Sequence, residues 1–209
     1  VTLDLGVLVS GSGSNLGAIL AAIESDRLDA RVRIVISNKV EVKALDRARA
    51  AGVPALALPH RDHPSREAYD AALVEALRSH GASWVVLAGF MRIVTPTLLD
   101  AFPDRVINIH PALLPAFPGV DAQRQALEYG ARVTGCTVHF VDAGVDTGPI
   151  LGQRAIEVRE DDDRDRLAAR LLVEEHRLLV DALGWIAQGR VQLVATPSGR
   201  RRVVVEGGP

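Results

Sequence analysis

The chain has 209 residues, 48% apolar and 24% charged, enough apolar surface for a globular core and too much for a disordered chain. Lysine and arginine total 24 against 26 aspartates and glutamates, and the net charge of −2 gives no support to bulk electrostatic binding of nucleic acid or of an anionic membrane. A single cysteine excludes an internal disulfide and a multi-cysteine zinc site, and no apolar run approaches the ~20 residues that span a bilayer.

In chain order, Leu5–Val9 reads as a strand, Asn15–Glu24 as a helix, Val32–Ser37 as a strand and Val42–Ala51 as a helix. Ala55–Leu58 is a short strand. Arg66–Arg78 is helical, with Tyr69, Leu73 and Leu77 one turn apart on one face. Trp84–Ala88 and Val106–Ile109 are continuous apolar strands. Near-continuous apolar strands alternating with helices predict a single-domain, Rossmann-like α/β fold whose mostly parallel sheet is covered by helices on both faces. From Pro111 a proline-rich stretch without a clear period follows, and a loop of that length in a compact domain is usually functional. Gln123–Tyr129 reads as a helix, and Val133–Val141 and Pro149–Val158 as strands. Asp163–Gln188 reads as a long helix burying Leu167, Leu171, Leu178, Val180 and Leu183, and Val191–Ala195 with Arg202–Val205 as a terminal hairpin.

Four places carry chemistry-bearing residues. Ser10-Gly11-Ser12-Gly13-Ser14-Asn15 follows the first strand and opens the first helix. Glycines there let the backbone approach an anion, and the helix N-terminus offers free N–H groups. No Gly-Lys-Ser/Thr follows, so it is not a Walker loop. The spacing Gly11, Gly13, Gly17 is a poor dinucleotide fingerprint. Asn108 and His110 have period-2 spacing at the end of an apolar strand, so both leave one face at the edge where ligands bind in open α/β sheets. Asp142 to Pro149 is a turn by composition, with Asp146 a carboxylate partner for His110; such a partner is expected to raise the imidazole pKa and suit it to general acid work. Ala88 to Val94 releases the chain after a buried strand, and a plain connection is an equally good reading of it. Glu174-Glu175 on the long helix reads as a solvated face. No histidine or cysteine cluster has metal spacing, so no metal is expected. No Gly-x-Ser-x-Gly elbow exists, and Cys136 sits mid-strand, so a Ser or Cys nucleophile is not expected.

Together, the stretches VLVSGSGSNL, VISNK, SREAYD, VVLAGFMRI, INIHPALLPAFPG, RQALEYG, TVHFVD and DTGPIL resemble the phosphoribosylglycinamide formyltransferases, the folate-dependent enzymes of de novo purine synthesis. The stretches fall in family order over about residues 7–151, and the Glu-Glu-His of the long helix continues the likeness. The resemblance implies one formyltransferase domain over 1–209, with a ribonucleotide-phosphate half at 1–105 and a catalytic and folate-binding half at 106–209. It implies that Asn108, His110 and Asp146 are catalytic. Gly13, Ser14 and Asn15 would bind the phosphate and Glu175 the ribose. Arg66, Met91, Arg92, Ile93 and Val94, with Asn108, would line the folate site. Departures are local: residues 119–124 lack the histidines many relatives carry, and Ala112 and Ala116 stand where Ser and Lys are common.

The implied reaction moves a formyl group from 10-formyltetrahydrofolate, a cosubstrate, to the amine of 5′-phosphoribosylglycinamide. It needs no metal, nucleic acid or membrane, and a homodimer stays open. A formyltetrahydrofolate deformylase-like hydrolase, an NADP-dependent reductase and a non-catalytic nucleotide-binding module are the alternatives. With Asp4 interrupting the first apolar stretch and no cleavage site after it, the expected location is the cytoplasm.

Overall fold

A computed structural model describes residues 1–208, which form two compact units, Val1–Asn108 and a second that starts at Ile109. The first unit contains β1 (Leu3–Val9), α1 (Ser14–Glu24), β2 (Ala30–Ser37), α2 (Lys43–Ala50), β3 (Ala55–Ala57) and a 3-10 turn at His60–Asp62. It continues with α3 (Arg66–Ser79), β4 (Trp84–Leu87), α4 (Pro96–Ala101) and most of β5 (Val106–His110). Its strands lie in the order β3-β2-β1-β4-β5 and all pair in parallel. Leu5, Val7, Leu8, Val9, Val85 and Val86 are fully buried, as strands covered on both faces require. α3 starts on a Ser65 cap that accepts from the Ala68 N–H, and it buries Tyr69, Leu73 and Leu77 as the periodicity predicts. It lies so close to β1 that a Cβ on Gly6 would meet Leu77 Cδ2 at 2.1 Å.

The second unit, which begins within β5, contains β6 (Val133–Phe140) and β7 (Ile150–Glu157), an antiparallel pair. It also holds α5 (Ala122–Tyr129), α6 (Arg164–Ala187) and the hairpin β8 (Val191–Ala195) with β9 (Arg201–Val205). Asp163 caps α6 by accepting from the Arg166 N–H. Leu167, Leu171, Leu178 and Leu183 are buried as expected, whereas the buried neighbour is Leu179 rather than Val180. A Cβ on Gly152 would meet Leu178 and the Trp185 ring at 3.0 Å, so β7 and α6 pack with nothing between them.

The mostly parallel α/β architecture predicted from the sequence is the one observed. The expected strand and helix boundaries hold to within a few residues, and α4 and the His60–Asp62 turn are additional. α4 has six residues with Pro96 in its first turn, too short to show a helical period.

Candidate active site

The loop after β1 ends on Gly13, which is left-handed (φ 68°) and serves as the N-cap of α1 without a side-chain cap and with no acidic residue in the first turn. The positive dipole end of α1 therefore faces the loop with no side-chain cap or carboxylate to offset it. The loop is braced from α2: the Ala44 N–H donates to Gly11 O at 3.2 Å, and Arg47 Nε donates to Ser12 O at 3.0 Å. Arg47 is a support the sequence did not single out. A Cβ on Gly13 would meet Ala44 Cβ at 2.6 Å and Ala44 Cα at 2.8 Å. Gly13→Ala therefore meets both an unfavourable φ, which costs about 1–2 kcal/mol, and a backbone clash. It is expected to lower the Tm and to weaken binding of a phosphate-bearing ligand, read by calorimetry, with little change in binding of a ligand that lacks phosphate.

The Met91–Val94 segment ends at Thr95, whose N–H and hydroxyl both donate to Asp70 Oδ2, at 2.5 and 2.8 Å. Burial raises the Asp70 pKa, while the Thr95 bonds and the charges of Arg66 and Arg92 oppose the rise. Met91 and Ile93 are exposed apolar side chains (67% and 52%). Together with Arg66 at the start of α3 and the half-buried Arg92, they offer apolar contact surface and two cations in the first unit.

Asn108 is half-buried on β5, two residues before His110 and on the same face of the strand. In the second unit, His110 Nδ1 lies 3.3 Å from Asp146 Oδ2, and His139 Nε2 lies 3.6 Å from Asp146 Oδ1. The other nitrogen of each ring meets a main-chain carbonyl: His110 Nε2 faces Phe117 O at 2.9 Å, and His139 Nδ1 faces Phe140 O at 2.8 Å. A carbonyl only accepts, so both of these nitrogens carry hydrogen. Two neutral rings would then turn lone pairs toward the carboxylate. A further proton between the His110 ring and the Asp146 carboxylate would turn that opposition into a hydrogen bond. In the sequence His139 is one alternating position of a strand, and only the folded chain shows that it shares Asp146.

Burial alone would raise the Asp146 carboxyl, but His139, the Gly119 N–H at 2.8 Å and the His110 charge outweigh it and hold it below the usual range. His110 goes the opposite way from expectation. Burial lowers its pKa, and neither Phe117 O nor the Asp146 carboxylate offsets the loss of solvent. The sequence could show the partner but not the depth of burial. Phe117 and Gly119 also place the proline-rich loop over both groups. A cavity of about 490 Å³ in this unit is lined by Leu114, Pro118, Asp146 and Pro149 and by Arg200 and Arg202 of the hairpin.

On α6, Glu175 is buried (7% exposed), so the solvated-face reading fails for it. Glu174 is held by Arg154 at 3.5 Å and Arg177 at 2.7 Å. Cys136 is fully buried, and burial, with a smaller push from the Glu175 charge, drives its thiol up to about 12, which leaves it without thiolate at neutral pH. Among the described residues, no group of three or more His, Cys, Asp or Glu could hold a metal ion, and no helix is long and apolar enough to cross a membrane.

Residues 4–183 match the formyl transferase family. The phosphoribosylglycinamide formyltransferase of Mycobacterium tuberculosis H37Rv is 45% identical over 201 residues, 96% of this chain and 93% of that protein. The crystal structure of glycinamide ribonucleotide transformylase 1 from Symbiobacterium toebii superposes with a TM-score of 0.93 at 51% identity, covering 98% of this chain and 94% of that one. The trifunctional purine biosynthetic protein of Drosophila pseudoobscura is 44% identical over 191 residues, and the chain spans only 14% of its length. A formyltetrahydrofolate deformylase from Pseudomonas syringae has the same fold (TM-score 0.87) at 27% identity, and the chain covers 66% of it.

Proposed function

Since the chain belongs to the formyl transferase family, we propose that it transfers the formyl group of 10-formyltetrahydrofolate to the amine of 5′-phosphoribosylglycinamide, a step of purine biosynthesis in the cytoplasm. The observation that carries the chemistry is the pairing of the buried His110 with Asp146 at 3.3 Å, His110 standing two residues after Asn108 on β5. The amine attacks the formyl carbon, an oxyanion develops, and collapse expels tetrahydrofolate. One proton leaves the amine and one is delivered to N10 of the departing folate, so the enzyme needs an oxyanion donor and a proton carrier rather than a nucleophile. Asn108 fits the first role, and His110 with Asp146 the second. Gly13, Ser14 and Asn15 hold the phosphate, Arg66 and Met91–Val94 serve the folate, and the whole chain acts as one formyltransferase domain.

The test is an absorbance assay of folate deformylation with and without the ribonucleotide. Turnover that requires the ribonucleotide and yields the formylated product is expected. Equal turnover without it would assign the chain to the hydrolytic deformylases instead.

Glu175 is the residue proposed to accept from the ribose hydroxyls. A hydrogen bond to a charged group is worth about 1.5–3 kcal/mol, so Glu175→Gln is expected to weaken ribonucleotide binding roughly ten- to a hundredfold. Adjacent helix positions point about 100° apart, and Glu174 is already paired with Arg154 and Arg177, so Glu174→Gln should leave that affinity nearly unchanged. Calorimetry on both variants checks this, and the reverse ranking would shift the ribose contact by one residue.

A further inference from the structure

Ser10 follows β1 directly and leads into the glycine loop; it is 4% exposed, and its hydroxyl is used twice. It accepts from the Met91 N–H at 2.8 Å and donates to Asn38 Oδ1 at 2.6 Å. Asn38, also buried, places its Nδ2 3.4 Å from His60 Nδ1. All four residues belong to the first unit. One hydroxyl thus joins the chain entering the Gly11–Asn15 loop to the first residue of Met91–Val94, and Asp70 ties the far end of that segment through Thr95. A hydroxyl has one proton. With that proton committed to Asn38, its lone pair is fixed toward Met91, and turning away leaves a buried donor or acceptor unmade.

We propose that Ser10 is a positioning residue that couples the two substrate loops, so that an anion held at Gly11–Asn15 favours the arrangement of Met91–Val94 that takes the folate. The proposal rests on the loop assignments given under the proposed function. The two states are a segment tied at Met91 and one released from it. An anion that draws in residues 11–15 fixes Ser10 and favours the tied state, and by linkage the folate strengthens anion binding by the same factor.

Met91 is the only methionine of the chain, so its ¹³C-methyl resonance reports directly on the segment. The experiment titrates the full chain with inorganic phosphate while following that resonance, and measures tetrahydrofolate binding by calorimetry without phosphate and at saturation. In the wild type the methyl signal should move with phosphate occupancy, and the folate Kd should tighten by at least about fivefold, the low end of typical coupling. In Ser10→Ala, phosphate should still bind the loop amides, but the methyl signal should stop responding and the folate Kd should no longer depend on phosphate. Ser10→Thr keeps the hydroxyl and should restore both. A merely structural role would weaken each ligand and leave their ratio intact. If Ser10→Ala does not fold, Asn38→Ala frees the hydroxyl to turn and should lower the same ratio. A ratio that survives in these variants, or a wild type without one, overturns the proposal. Failure of phosphate to bind the wild type at all would overturn the loop assignment beneath it, and a chain that binds phosphate yet shows no coupling overturns only the role of Ser10.

Discussion

Asn108→Ala is expected to lower kcat by about 10²–10³ while changing either KM far less, because loss of one oxyanion donor typically costs that much and is felt only where negative charge has developed. Asn108 lies on β5, a strand rather than a loop, with Ile107 and Ile109 buried on either side of it. Its backbone is thus fixed by the sheet, so the side-chain amide starts from a rigid base. Asn108→Asp sharpens the result. It keeps the shape but sets a carboxylate against the developing oxyanion, so it should be at least as slow as alanine. Single-turnover rates at saturating substrates separate this from a binding defect, and a near-normal rate in the alanine variant would remove Asn108 from the chemistry.

What the sequence discloses depends on how far a property reaches along the chain. β1 and α3 are local matters: a run of Leu and Val, or apolar residues one turn apart, announces itself, and those elements lie where the periodicity puts them. The glycine loop is equally local, since its left-handed Gly13 and uncapped helix start follow from adjacent residues. α4 shows no period because six residues hold fewer than two turns. Arg47 and Ser10 are different. Each earns its place through a residue brought close only by the fold: Ser12 lies 35 positions from Arg47, and Met91 lies 81 from Ser10. The burial of Glu175 and of His110 belongs to the same class. A charge pair can be guessed from two residue types, but whether solvent reaches it cannot.

That last point fixes the expectation for Asp146→Asn. The His110 ring has lost more to burial than it recovers from Phe117 O and the Asp146 carboxylate, so its pKa lies below the ordinary imidazole value. In the uncharged variant one of the two raising influences is gone, and His110 should titrate lower still. At any pH above that pKa the imidazolium fraction falls tenfold per unit, so kcat should drop by up to the 10²–10⁴ typical of lost acid–base catalysis at neutral pH. The deficit should narrow as the pH is lowered and the ring is protonated without help. The linked stability has a definite sign. The Asp146 carboxyl is depressed in the folded chain, so it contributes stability that is present above about pH 4 and is lost as the pH falls through its folded value, and Asp146→Asn removes that contribution. His110 acts oppositely. With its folded pKa lowered, the unfolded chain takes up the proton first, so this group erodes stability as the pH drops below about 6.5, and the variant should widen that window. Imidazole ¹⁵N shifts of His110 and His139 across the pH range, with pH–rate profiles for both proteins, read all of this together. An unmoved His110 titration in Asp146→Asn would show that the two side chains, 3.3 Å apart, do not share a proton economy, and the general acid would have to be sought elsewhere.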